Sequence, residues 1–170
     1  SLTGTNLQYR IWQVIDVDEW VRAVALLSLI GNEDMYTYGN SHNLVIYFRP
    51  EDNRGMAFLW DLDYSFMGSI SRVFPGSGSA NTYKIITTIP DVYRRYYHHL
   101  YDLTGITGDS TFLTDWANRY AGLVAENWSG VVNYLVQRAN YVRSYLPLTA
   151  KFAVITNSGG FIVINNTTTI

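Results

Sequence analysis

The amino-acid sequence predicts an α+β fold: a mainly helical body, one short β-hairpin and a small β-rich tail. Three observations predict it. Apolar residues recur at helical spacing along residues 17–30 and 129–145. Two short apolar runs rich in β-formers, LVIYF and MAFLW, flank a loop containing Pro50, Asn53 and Gly55. The end of the chain, KFAVITNSGGFIVINNTTTI, alternates apolar runs with Asn, Thr and Gly.

Taken in order, residues 17–30 form the first expected helix. Asp16 or Asp18 caps its amino end, and Asp18 with Glu19 suits the positive pole of the helix dipole. Trp20, Val24, Leu27 and Ile30 share one face, and Gly31-Asn32 stops the helix. Strands at 44–48 and 56–60 make a hairpin with a loop longer than the tightest turns. Residues 69–81, with Pro75, Gly76 and Gly78, read as a surface loop. A second helix opens at Thr88-Ile89-Pro90-Asp91, where Thr88 and Asp91 resemble a capping box, and runs to Gly105. Further helices span 112–127 and 129–145. The last carries an apolar stripe of Val131, Leu135, Ala139 and Val142, and Pro147 ends it. Strands at 152–156 and 161–164 enclose Asn157-Ser158-Gly159-Gly160. The expected division is a body at 1–148 and a β-rich linker, or the start of a following β-module, at 149–170.

Composition narrows the functions. The chain has 170 residues, of which 48% are hydrophobic and 15% charged, a balance that builds one packed core and opposes disorder. The net charge is −2 with no basic stretch, so nucleic acid is not an expected partner. There is no cysteine, which removes disulfides, thiolate zinc sites and cysteine nucleophiles. No stretch approaches the roughly 20 apolar residues of a membrane helix, because Arg22 and Ser28 interrupt the longest run. The first residues, SLTGTNLQYR, lack the charged start and apolar run of a signal peptide. The 14 Tyr and 5 Trp suit either an aromatic-rich core or half-buried surfaces where a ligand or second domain packs.

The chemistry concentrates between Asp34 and Asp63. Asp34 follows a helix, Asn43 opens the first strand, and Asp61 and Asp63 follow the second. In an antiparallel hairpin the start of one strand lies beside the end of its partner, so Asn43 and Asp61 are expected neighbours. A carboxylate beside an amide oxygen suits Mg²⁺, which takes one or two carboxylates and completes its shell with water and phosphate oxygens. An isolated Asp-x-Asp is commonly a turn; the order Asp34, Asn43, Asp61 is what favours metal chemistry. Protein kinases share that order: a helix, an Asp that orients the hydroxyl, an Asn, a short hairpin, and a metal-binding Asp.

The run NEDMYTYGNSHNLVIYF followed by FLWDLDYSFMG resembles the CotH kinase family of spore-coat-protein-H-like atypical kinases. The resembling elements are Asp34 with Tyr36, Asn43 opening an aromatic strand, and Trp60-Asp61-Leu62-Asp63 with Phe66. QRANYVRSYL resembles the family's closing arginine-bearing helix through Arg138. The resemblance covers residues 17–146. Leu59 stands where the family often has proline, and Glu33 is an alternative to Asp34.

The resemblance implies a kinase-like carboxyl-terminal lobe, use of ATP and Mg²⁺, and phosphoryl transfer to serine of a protein substrate. By position it makes Asp34 the catalytic acid, Asn43 and Asp61 metal ligands, and Asp63 an accessory metal carboxylate. It further implies an amino-terminal lobe outside these residues that supplies the phosphate-gripping lysine, without which this stretch is inert. The Asn/Thr/Gly-rich tail resembles small β-modules of exported bacterial proteins and favours a setting at the bacterial cell surface or exterior. Two other classes compete: a non-catalytic surface or adhesion module that keeps the fold, and another Mg²⁺-dependent transferase or phosphoesterase using the Asp-x-Asp pair.

Other motifs read as structural. His98 and His99 are adjacent on a helix and point about 100° apart, which does not suit one shared ion. Arg94-Arg95 reads as a solvated helix face, and His42 as a polar loop residue.

Overall fold

The computed structural model describes residues 4–38, 42–72, 81–146, 149–155 and 161–169, the last two ranges as backbone only. It is mainly helical with a short antiparallel hairpin, the α+β class that the sequence predicts.

Helix α1 (Gly4–Val14) has no counterpart among the sequence expectations. Leu7 and Ile11 lie four residues apart and join the core from it. Helix α2 (Val17–Leu29) is capped by Asp16, whose side chain accepts from the Glu19 N–H at 3.3 Å. Val24 and Leu27 are buried as expected, whereas Trp20 and Ile30 are only half-buried. The buried surface instead includes Val17, Val21, Ala25, Ser28 and Leu29, because α2 is packed from several sides.

Strands β1 (Val45–Phe48) and β2 (Gly55–Phe58) pair antiparallel, with Val45 opposite Phe58 and Phe48 opposite Gly55. The turn end of the hairpin is tied to the start of α2. Asp16 N–H donates to the Gly55 carbonyl at 2.9 Å, and Ile15 bridges Gly55 in parallel.

Helices α3 (Asn81–Thr88) and α4 (Pro90–Thr107) meet at Ile89. The capping box expected at Thr88 and Asp91 does not form. Thr88 already ends α3, and its hydroxyl donates to the Lys84 carbonyl at 2.6 Å. Pro90 holds the preceding residue extended and starts α4 itself, so Ile89 is the cap residue and contributes no side-chain bond. Helix α4 runs through Gly105 and stops at Gly108. There a Cβ would meet the Thr104 carbonyl at 2.7 Å and the Ala139 methyl at 3.2 Å, so the small residue permits close approach to the final helix.

Helix α5 (Ser110–Val124), capped by Asp109, buries none of its residues fully. Helix α6 (Ser129–Tyr145) has the expected limits, and Leu135, Ala139 and Val142 are buried on it together with Arg138. The core is formed mainly by α2, α4 and α6 around Val24, Leu29, Tyr96, Leu100 and Val142. Strands β3 (Thr149–Ile155) and β4 (Phe161–Thr169) pair only with each other, with an irregularity between Ala150 and Phe152. Pro147, the Asn157–Gly160 turn and the glycine-rich part of the 69–81 loop lie outside the described residues. Among the described residues no helix is long and apolar enough to cross a membrane.

Candidate acidic site at the open end of the hairpin

The connectivity of the hairpin brings Asn43 and Asp61 to one end. Asn43 lies two residues before β1, and Asp61 three residues after β2. Both have left-handed backbones, with φ of 54° and 53°. Asn and Asp tolerate this conformation better than most residues, and its cost persists only where surrounding contacts fix it.

Those contacts can be named. Asn43 Nδ2 donates to the Asp34 carbonyl at 2.7 Å and to Asp34 Oδ2 at 3.3 Å. His42 Nε2 lies 2.7 Å from Asp34 Oδ1, so this histidine belongs to the site rather than to an unengaged loop. No hydrogen bond joins Asn43 directly to Asp61. The link between the two loops is Asn32, which is 1% exposed. Its Oδ1 accepts from the Asp34 N–H at 3.0 Å, and its Nδ2 donates to the Asp61 carbonyl at 3.1 Å and to Ser65 Oγ at 3.4 Å.

The segment after Asp63 zips along the end of α2. Phe66 N–H donates to the Ile30 carbonyl at 2.6 Å and Gly68 N–H to the Gly31 carbonyl at 3.1 Å. Gly31 has φ +65°, and a Cβ there would collide with the Tyr134 hydroxyl, which donates to the Gly68 carbonyl at 3.0 Å. Arg138 holds this junction from α6. Its Nη1 donates to the carbonyls of Ser69 (2.9 Å) and Ile70 (2.6 Å), and its Nη2 to that of Ser28 (2.6 Å). The guanidinium is buried against carbonyl oxygens, and among the described residues it forms no ion pair with a carboxylate. Burial pulls its pKa down, and the nearby Tyr134 and Tyr96 phenols oppose that. Glu33, the alternative acid to Asp34, is paired to Arg72 at 2.9 Å and is thereby committed to the loop after the site.

The acids themselves stay outside this framework. Asp61 and Asp63 are exposed. The Asp61 carboxyl is pushed above its ordinary value, first by its hydrogen bond to Asp63, then by desolvation and by the charges of Asp63 and Asp34. His42 offsets part of this. Two neighbouring carboxylates with a third acid within electrostatic reach form a negative concentration that a cation would relieve. Among the described residues, no three His, Asp or Glu side chains gather closely enough to hold a metal unaided. The donor set suits Mg²⁺ accompanied by phosphate, which needs only one or two carboxylates. Asn43 spends its amide N–H groups on Asp34, which leaves its carbonyl oxygen, the ligating atom, without a hydrogen-bond donor among the described residues.

No family model matches this chain, and neither does any curated protein or solved structure. The four sequence-selected residues therefore stand on their geometry. Sequence reading missed Asn32, which it took as part of a helix stop. The available signal was its place one residue after Gly31 and two before Asp34, where an Asn side chain readily bonds the backbone two residues on.

Proposed function

We propose that the open end of the hairpin is the metal- and phosphate-handling end of a CotH-like atypical protein kinase, which transfers a phosphoryl group from ATP to serine of a protein substrate. The observation that carries this reading is the Asn32-bridged pair of loops. It holds Asp34 and Asn43 against each other and sets the repelling Asp61–Asp63 pair within electrostatic reach of Asp34.

On this reading Asp61 and Asp63, with the Asn43 carbonyl oxygen, would hold Mg²⁺, which would supply the charge that neutralises the phosphates. Asp34 orients the attacking serine hydroxyl and accepts its proton, and Asn43 and His42 orient the Asp34 carboxylate. Asn32 and Arg138 are positioning residues, since they touch only the framework. The lysine that grips the nucleotide phosphates comes from a further lobe of the same protein. The chain's own lysines, Lys84 on α3 and Lys151 on β3, are remote in sequence from the site. The exposed apolar side chains of β1, from Val45 to Phe48, support a surface that such a lobe covers. The same exposure also favours the second reading, a non-catalytic surface or adhesion module of an exported bacterial protein.

Melting temperature of the protein with its amino-terminal lobe present, in Mg²⁺ and ATP, tests the proposal. A nucleotide at about 100-fold over its Kd adds about 2.7 kcal/mol to the native state. The expected result is a rise in wild type that disappears in Asp61→Ala. Folded proteins that both fail to respond, at every attainable concentration, would favour the non-catalytic module. Nucleotide hydrolysis without transfer to any protein would favour a phosphoesterase.

A further inference from the structure

Helices α5 and α6, with the loop that joins them, enclose an open pocket of about 310 Å³. Its existence has two local causes. Ala117 and Ala121, four residues apart on α5, are too small to fill the space beside Val132 of α6. Ala125, which ends α5, has a left-handed φ of 57°. A residue with a Cβ seldom adopts that conformation. Here it turns Glu126 and Asn127 back beside Thr114 and Asn118 of the same helix.

The wall of the pocket is mixed in character. Polar atoms form a large part of its accessible surface, and Thr114, Asn118, Glu126, Asn127 and Ser129 are its polar residues. All five are exposed to solvent. Among the described residues the side chains of Thr114, Asn118 and Glu126 take part in no hydrogen bond or ion pair within the protein. Asn127 spends only its Oδ1, which accepts from the Ser129 N–H at 2.9 Å. Glu126 is the one charged residue on the wall, since no described Lys, Arg or His lines it. The apolar part consists of the two alanines, Val132 and Trp128.

We infer that this pocket binds one hexosamine unit, its ammonium group on Glu126 and its hydroxyls on Asn118, Asn127, Thr114 and Ser129. The ligand class follows from what the wall offers. An anion finds a carboxylate and no cation. An apolar molecule leaves the amides and hydroxyls without partners. A simple alkylamine uses the carboxylate and nothing else. An aminated pyranose has one positive charge, hydroxyls that both donate and accept, and apolar C–H faces for the alanines and Trp128. Size agrees with a single ring. A cavity of about 150 Å³ takes the six carbons of benzene. The pocket of about 310 Å³ therefore accommodates roughly a dozen non-hydrogen atoms, the size of one hexosamine. It also lies within the roughly 300–1,000 Å³ of small-molecule sites. The inference goes beyond the phosphoryl-transfer reading and uses none of it.

Titration of the full chain with glucosamine, glucose and cyclohexylamine in mildly acidic buffer, followed by NMR, tests it. The expected result is saturable one-to-one binding of glucosamine with a Kd on the order of millimolar. The side-chain amides of Asn118 and Asn127 should shift together. Glucose, which lacks the charge, and cyclohexylamine, which lacks the hydroxyls, should each bind at least about threefold more weakly. Glu126→Gln should reduce glucosamine to the level of glucose and leave glucose unchanged. Asn118→Ala should weaken both sugars and leave cyclohexylamine unchanged. Both substitutions are at exposed positions and spare the core. A disaccharide of glucosamine separates the two sources of this chemistry: retained affinity points to the end of a glycan, and lost affinity to the free sugar. Absence of saturable glucosamine binding by wild type overturns the inference. So does binding of glucose or cyclohexylamine as tight as that of glucosamine, because the wall would then read either charge or hydroxyls but not their combination. The test contains no nucleotide or Mg²⁺, so its failure leaves the kinase reading untouched, and failure of the kinase test leaves this one standing.

Discussion

The two ends of the β1–β2 hairpin carry opposite electrostatics. At the turn end, Arg49 pairs with Asp16 at 2.7 Å and with Asp52, and Arg54 also reaches Asp52. Hydrogen bonds from Arg49, and then from Arg54, hold the Asp52 carboxyl well below its ordinary value in spite of some desolvation. At the open end, Asp61 is pushed the other way by Asp63, by desolvation and by Asp34, and His42 offsets part of this. The turn end binds its own acids with its own arginines and joins the hairpin to α2. The open end is held by neutral groups and by Arg138 spent on carbonyls, and its acids are left for something else. Balanced charge marks attachment, and charge excess on a fixed framework marks a site.

Breaking the framework behind the open end should have the largest effect. Arg138→Met removes the donors from at least three backbone carbonyls. The expected loss is about 3 kcal/mol or more in urea unfolding, from unsatisfied buried groups. That is a large part of the roughly 5–15 kcal/mol that holds a domain together. A loss no larger than that of a surface substitution would show that the junction does not depend on the guanidinium.

A smaller effect is expected at the turn end. Asp16→Ala removes the α2 cap and the Arg49 pair, and should cost about 1–2 kcal/mol. It should leave the titration of Asp61 unchanged. A shifted Asp61 would mean that the two ends are coupled and the contrast between them is false.

The smallest effect is the most direct. Carboxyl ¹³C shifts should show Asp52 titrating below the ordinary 3.8 and Asp61 above it. The consequences for stability have opposite sign. Asp52 contributes stability above 3.8 that is lost as pH falls through its lowered value. The raised Asp61 contributes below 3.8, and that contribution is lost as pH rises through its folded value. Added Mg²⁺ should lower the Asp61 midpoint and leave that of Asp52 in place; equal responses would remove the distinction.

Much of this was legible from residue order. Asp16 as a cap, the limits of α6 and the pairing of the hairpin follow from periodicity and turn chemistry. Asn43 and Asp61 share an end because antiparallel pairing allows nothing else. The break between α3 and α4 was misread because Thr88 looks like a cap in isolation. Only a helix arriving from its amino-terminal side spends its hydroxyl on Lys84. His42 and Asn32 looked like ordinary loop residues because their partners lie on Asp34 and across the loop at Asp61.

The sequence by itself determined the α+β class, the order of acids around a hairpin and the identities of the candidate ligands. These depend on spacing along the chain, which local backbone geometry converts directly into position. Tertiary structure alone decided which acids are already paired and which repel. It also turned Arg138 inward to carbonyls. Such outcomes depend on how distant helices enclose a side chain, and burial and through-space charge have no counterpart in linear order.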